Sequence, residues 1–249
     1  MEVKKYNGHT IEIYNSIDEM PITRFQKYNK YMLIDSGVGS DLQDILNHVE
    51  RAKIYVKANQ NMAITEMDNL KQALYLVANE MSPKYMAFAV LVYKIDGKVQ
   101  DDLTDVGLKR VLEQLKEYKK GWLDGILNAV KKKIDQELNM YFPGKFEDGS
   151  LKEYYDLLKQ HTQYMLKHII NGSDVRKECK DKEIQMALLS KPQIFSGTRS
   201  VEISYDKEFE EACLILGHNI QAQTHCMTVL QFYNAFEYLK KLSKRIKHK

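Results

Sequence analysis

Apolar residues recur at three- and four-residue steps along most of this chain, the period of a buried helical stripe. Near the start, Thr10, Ile11, Glu12, Ile13 and Tyr14 alternate instead. An Asn7-Gly8 turn signal precedes them, so residues 3–14 predict a short hairpin or edge strand. Ser16 and Asp18 stand where they can cap a helix opening near Pro21. It would run through Arg24, Phe25, Tyr28 and Met32 to Asp35 and stop at Ser36-Gly37-Val38-Gly39. Ser40 with Gln43 has the form of a capping box. Beyond it Leu42, Ile45, Val49, Ala52 and Val56 make one stripe. After a break at 59–61, Met67, Leu70, Leu74, Val77 and Met81 make a second, and the two predict an antiparallel helical hairpin.

Ser82-Pro83 opens the next helix, over Tyr85 to Tyr93. It is apolar on every side and so expected to be surrounded by protein, with a buried strand as the alternative. Asp96-Gly97 marks a turn. Leu108, Val111, Leu115 and Tyr118 carry one further helix, and Leu123, Ile126, Val130, Ile134 and Leu138 another. Residues 143–149 read as a loop and Ser150 with Glu153 as a capping box. Tyr155, Leu158, Thr162, Met165 and Ile169 form the stripe of a helix stopped at Asn171-Gly172. Residues 174–190 are charged and helical, with a weak stripe through Ile184, Leu188 and Leu189. Val201-Glu202-Ile203-Ser204-Tyr205 reads as a short strand that could pair with Ile11 to Ile13, and from Asp206 a long helix runs nearly to the end, kinked near Gly217.

The expected fold is therefore mainly α, a helical bundle of about seven or eight helices. A minor β element joins the N-terminal strand to a strand near residues 200–205. Residues 1–205 form the helical domain and 206–249 a long C-terminal helical segment with a basic tail.

Composition sharpens this only in places. The 249 residues suffice to bury a real core. With 4 Pro and 12 Gly the chain favours long helices over a loop-rich β fold. The 16 Tyr suit surfaces buried against other protein, or ordinary half-buried positions. A net charge of +3 is too mild for nucleic-acid binding by the whole surface. Cys179, Cys213 and Cys226 are widely spaced and read as free thiols. Residues 1–14 lack the apolar core of a secretion signal, and no run of about 18 apolar residues is present to span a membrane.

Between Glu211 and Glu237 there is no Asp, Glu, Lys or Arg. One face of this stretch and its continuation carries Val229, Phe232, Phe236, Leu239, Leu242 and Ile246; the other carries Gln221, His225, Thr228 and Gln231. A neutral polar face opposite an apolar one suits burial against further protein, because interface centres are depleted in charge. Equally, this is the core helix of a monomer. The cluster Lys240, Lys241, Lys244, Arg245 and Lys247 has three readings: a solvated helix end complementing the dipole, a contact with phosphates, or a dock for an acidic partner. The first group's polar residues and these cations are the candidate partner-binding residues.

No phosphate-binding glycine motif occurs. His161 and His168 alone make a poor metal site, and Cys213, His218, His225 and Cys226 lack a second close pair to complete four ligands. Glu117-Tyr118-Lys119 and Glu178-Cys179-Lys180 match a fragment of metal-dependent nuclease motifs, without the strand-borne acidic partner that chemistry needs. No catalytic, cofactor-binding or metal residues are therefore assigned.

Asn7-Gly8-His9-Thr10-Ile11-Glu12-Ile13-Tyr14 through Ser36-Gly37-Val38-Gly39-Ser40-Asp41, with the later Ser204-Tyr205-Asp206-Lys207-Glu208-Phe209, resembles structural proteins of crAss-like bacteriophages of gut Bacteroidota. That resemblance implies a subunit of the virion neck or tail, a head-to-tail connector ring beneath the portal. Such a subunit is helical, made in the host cytoplasm, free of cofactors and not an enzyme. Its partners would be itself in a twelve-fold ring, the portal protein and adjacent tail or ring proteins, with non-specific DNA contact in the channel and no membrane. The alternatives are a cargo protein ejected with the genome and a DNA-processing phage enzyme.

Overall fold

The computed structural model describes residues 1–6, 8–39, 41–58, 60–78, 82–115, 120–142, 152–189, 195 and 200–247; at 6, 37, 60, 120–122, 152–155, 187–189 and 243–247 it describes backbone only. The elements run β1 (Glu2–Tyr6), β2 (His9–Ile13), α1 (Ile22–Val38), α2 (Leu42–Ala58), α3 (Gln60–Ala78), α4 (Pro83–Leu91), β3 (Val92–Ile95), β4 (Lys98–Val99), α5 (Asp105–Gln114), α6 (Lys120–Tyr141), α7 (Lys152–Asn171), α8 (Arg176–Leu189), α9 (Val201–Ile220) and α10 (Val229–Lys247). The architecture is mainly helical with one small antiparallel sheet of order β1-β2-β3-β4.

Helix α4 is the centre. Pro83 and every residue from Met86 to Leu91 are buried, as an all-round apolar helix requires. The apolar run divides: helix ends at Leu91, and the β-branched and aromatic Val92-Tyr93-Lys94-Ile95 becomes β3. Helix and strand readings of 85–93 each hold for part of it. The carboxyl end of α4 lies in the core, where its last carbonyls cannot reach water. Val92 N–H donates to the Ala89 carbonyl, Tyr14 N–H to Leu91 (2.9 Å), and the buried Arg24 guanidinium to Val90 (2.8 Å). Arg24 also donates to the carbonyls of Val92 (3.0 Å) and Gln100 and lies over the Tyr14 ring.

The sheet joins two hairpins. β1 pairs with β2 from Glu2↔Ile13 to Tyr6↔His9, with Gly8 at φ +86° in the turn. β3 turns into β4 through Asp96 (φ 50°) and Gly97 (φ 77°), the two positive φ angles of a tight two-residue hairpin. The Asp96 carboxylate accepts from Thr10 N–H (2.8 Å) and lies 2.6 Å from His9 Nδ1, tying the hairpins together.

The second partner of β2 is thus β3, with Ile11 opposite Ile95. The strand expected near residues 200–205 is instead the first turn of α9. Ser200 caps it, its hydroxyl accepting from Ile203 N–H (3.3 Å), and this cap outweighs the β preference of Val201 and Ile203.

α5, α6, α9 and α10 close round the same core. Leu108 and Val111, and all of Leu123, Ile126, Val130, Ile134 and Leu138, are buried as their spacing predicts. Tyr118, residues 143–149 and Ser150 lie outside the described residues. Ser16 and Asp18 do not cap α1. Pro21 holds that position, and the Ser16 hydroxyl and Ile17 N–H donate to Glu137 on α6 (2.8 and 2.9 Å). The cap of α2 falls one residue later than expected. Asp41 and Asp44 bond each other's backbone N–H reciprocally (2.9 and 3.2 Å), and Ser40 lies outside the described residues.

Candidate functional site

The charge-free stretch does not form one long helix with a kink at Gly217. α9 passes through Gly217 and ends at Ile220. Gln221 then turns left-handed (φ 51°), and a 3₁₀ turn at Thr224–Cys226 leads into α10. The link is clamped to the start of α1: Ile22 N–H donates to Met227 O, Val229 N–H to Met20 O and Leu230 N–H to Ile17 O, each 2.9 Å.

Gln221, His225, Thr228 and Gln231 consequently do not share one helical face. Gln221 is the exposed end of α9, and exposed His225 lies 3.3 Å from Glu210 and edge-on to Phe209. Thr228 and Gln231 form a capping box for α10. Thr228 N–H donates to Gln231 Oε1 (3.0 Å), and Gln231 N–H donates to the Thr228 hydroxyl (3.3 Å). Thr228→Ala is expected to cost about 1 kcal/mol, read as a lower midpoint in thermal unfolding.

The apolar side of the same stretch is spent inside its own chain. Cys213, Leu216, Val229 and Phe232 are buried in the main core, and Phe236 and Leu239 pack against it. Residues 209–239 therefore contribute to the core that the preceding residues build. Lys240 and Lys241 are exposed on α10. Lys244, Arg245 and Lys247 continue that helix, and their side chains lie outside the described residues.

Exposed apolar residues remain in this stretch in Leu214 and Ile215 on α9, and further apolar surface lies on the α2–α3 hairpin and on α7. The α2–α3 hairpin forms as predicted but turned about its axes. Its inward residues are His48, Ala52 and Tyr55 on α2 and Ala63, Glu66, Asn69, Ala73 and Leu76 on α3. Of the predicted stripes Ala52 is buried and Ile45 packs against the small cluster of Val38, Ala73 and Leu76, while Leu42, Val56, Met67, Leu74 and Val77 are all exposed. On α3 Ile64 (62 %), Met67 (55 %) and Leu74 (49 %) share one outer face, together with Lys71. Helix α7 repeats the arrangement. It rests on α8, with Leu157, His161 and Tyr164 half-buried, while Leu158 (37 %), Met165 (44 %) and Ile169 (71 %) face outward beside Thr162. Gly172 (φ 63°) ends it, its N–H donating to His168 O.

Between α2 and α3 sits a polar cluster that apolar periodicity does not reveal. His48, 1 % exposed, places Nδ1 2.7 Å from Glu66 Oε1 and Nε2 2.6 Å from the Val38 carbonyl at the end of α1. Arg51 Nε is 2.6 Å from the same carboxylate oxygen. The signal lay in the spacing: His48 falls four residues before Ala52 and seven before Tyr55, on the face that turns inward.

Among the described residues, no group of three or more His, Cys, Asp and Glu side chains is disposed to hold a metal ion. His161 pairs with Glu183 (3.2 Å) and His168 lies 2.7 Å from the Ser173 carbonyl. Glu178 is exposed in the first turn of α8, and Glu117 lies outside the described residues. No described helix is long and apolar enough to cross a membrane. No family model, curated protein or solved structure matches the chain.

Proposed function

We propose that this chain is a subunit of a ring-forming head-to-tail connector of a virion, which binds copies of itself, the portal and the adjoining tail or ring proteins around the DNA passage. Its work is assembly, not catalysis. The observation that carries this is the outward placement of two helical apolar stripes, on α3 and on α7, whose spacing is that of buried faces. A monomer rarely leaves contiguous apolar surface of that kind bare. Two different faces, moreover, suit head-to-tail contacts, in which one patch meets another on the neighbour and a rotation closes the ring. The resemblance of residues 7–41 to phage structural proteins supports the virion setting.

Light-scattering mass measurement on the purified chain, alone and mixed with portal, tests the proposal. A closed multimer, or a complex that forms on the portal ring, is expected. A chain that stays monomeric at tens of micromolar and ignores portal would overturn it.

A further inference from the structure

We infer that the neighbour is seated helix on helix: the outer stripe of α3 in one copy packs along the outer stripe of α7 in the next. This rests on the assembly reading above and names its surfaces.

Three features of the two helices point to one another. The first is spacing. Ile64, Met67, Lys71 and Leu74 step by three, four and three residues, and Leu158, Thr162, Met165 and Ile169 by four, three and four. Both are the alternating steps of a heptad seam, which two helices of similar length can share over several layers. α3 has 19 residues and α7 has 20, so each presents a rod of roughly 30 Å.

The second feature is area. The stripes are flanked by exposed Tyr75 and Val77 on α3 and by exposed Leu166 and Ile170 on α7. Together with the seam these widen each stripe into a broad exposed apolar face, as a specific interface of about 800 Å² a side requires.

Charge decides between the possible pairings. In a seam the residues beside the apolar positions set which helix is accepted. On α3 that place beside Met67 holds Asp68; on α7 the equivalent place beside Leu158 holds Lys159. Two α3 helices paired antiparallel would bring Asp68 towards Asp68. Two α7 helices would bring Lys159 towards Lys159. Of these pairings only α3 against α7, antiparallel, sets opposite charges together, Asp68 beside Lys159, while the Lys71 methylene stem can lie along Leu158. The contact is between unlike faces, as a head-to-tail ring requires.

Single-cysteine chains test this. In a Cys226→Ser background, where Cys179 and Cys213 are buried, Met67→Cys and Thr162→Cys are made separately. Both positions are exposed, so neither change opens the core. A short bis-maleimide should give a covalent dimer when the two chains are mixed and little when either is alone. Dimer from Met67→Cys alone would mean that α3 meets α3, and would overturn the inference. So would a cross-link formed within one chain carrying both changes. If the wild-type chain is multimeric by mass yet the mixture does not cross-link, the pairing falls and the assembly reading stands. If the chain is monomeric, both fall. Asp68→Lys should raise the concentration needed for assembly several-fold, and Asp68→Lys with Lys159→Asp should restore it. A double variant no better than the single one counts against the seam.

Discussion

Replacing Arg24 with methionine should lower the stability of the chain by about 4 kcal/mol, even though methionine preserves most of the buried volume. The guanidinium is 5 % exposed and serves three carbonyls, those of Val90, Val92 and Gln100. Val90 belongs to the last turn of a helix that ends in the core, so water cannot replace the lost donor. Each buried acceptor left without a partner costs about 1–3 kcal/mol, and the stacking on Tyr14 goes as well. Burial itself disfavours the charge and lowers the pKa of Arg24, with the nearby Tyr14 and Asp101 opposing that shift. The penalty of burial is already met in the native chain, and the substitution removes only the benefit. For a domain of this size a loss of that order shifts the thermal midpoint by roughly 10 °C, which calorimetry reads directly. Arg24→Lys should recover part of the loss and no more, since a single ammonium cannot reproduce the planar fork that spans three acceptors. A methionine variant as stable as the wild type would show that these carbonyls find other donors.

Arg24 is also a measure of what apolar spacing can and cannot disclose. In the sequence it is one position in a helix with an apolar face, and nothing local marks it as the donor to a helix more than sixty residues later. Periodicity served where the whole stripe enters one core. All five stripe residues of α6 are buried, and the N-terminal hairpin and the turns at Gly8 and Asp96-Gly97 follow directly from their signals. It misled on α2, α3 and α7, because a stripe reports that a face is apolar without saying what covers it. Apart from Leu76, the inward side of α3 is made of Ala63, Glu66, Asn69 and Ala73, small or polar residues that barely register as apolar, while Ile64 and Met67 look outward. Close approach of two helices favours small side chains at the contact, and here that preference outweighs the larger residues.

The C-terminal stretch shows a different failure. Its lack of charge indicated burial only in part, and that part is inside the chain: Leu216 and Val229 are fully covered by the main core, while Leu214 and Ile215 are exposed. Thr228 and Gln231 carried a usable signal, since threonine followed three residues later by glutamine ahead of an apolar run is the signature of a capping box. Taken as part of a polar face, they suggested a partner; taken as a cap, they mark where one helix ends and another begins. The outward apolar stripes at helical spacing lie instead on α3 and α7.

The hairpin's hold on the rest of the chain is where the second large effect is expected. Glu66→Ala should cost about 3 kcal/mol, and the loss should be local. Glu66 is 2 % exposed and its Oε1 meets both His48 and Arg51, while His48 in turn reaches the Val38 carbonyl, so one carboxylate organises the junction of α1, α2 and α3. Removing it takes the carboxylate from a buried ring nitrogen, which then keeps only Arg51 Nη2 (2.9 Å), and leaves the arginine without its counter-charge. Arg51 is partly exposed and can turn towards water, which keeps the cost at the lower end for a broken buried pair. Glu66→Gln, which keeps shape and hydrogen bonding but not charge, should cost less, about 1–2 kcal/mol. Because the apolar cluster beneath this junction is small (Val38, Ala73 and Leu76), hydrogen exchange should quicken in α2 and α3 while α4 and α6 keep their protection. The decisive comparison is the double variant His48→Leu with Glu66→Leu. Removing both partners leaves the Val38 carbonyl unmet, a loss that His48→Leu alone already carries, so the pair together should cost clearly less than the sum of the two single changes. Strict additivity would mean that the cluster is not an interacting unit. A hairpin loosened in this way also presents α3 poorly, so Glu66→Ala should weaken self-association at temperatures where the main core is still folded.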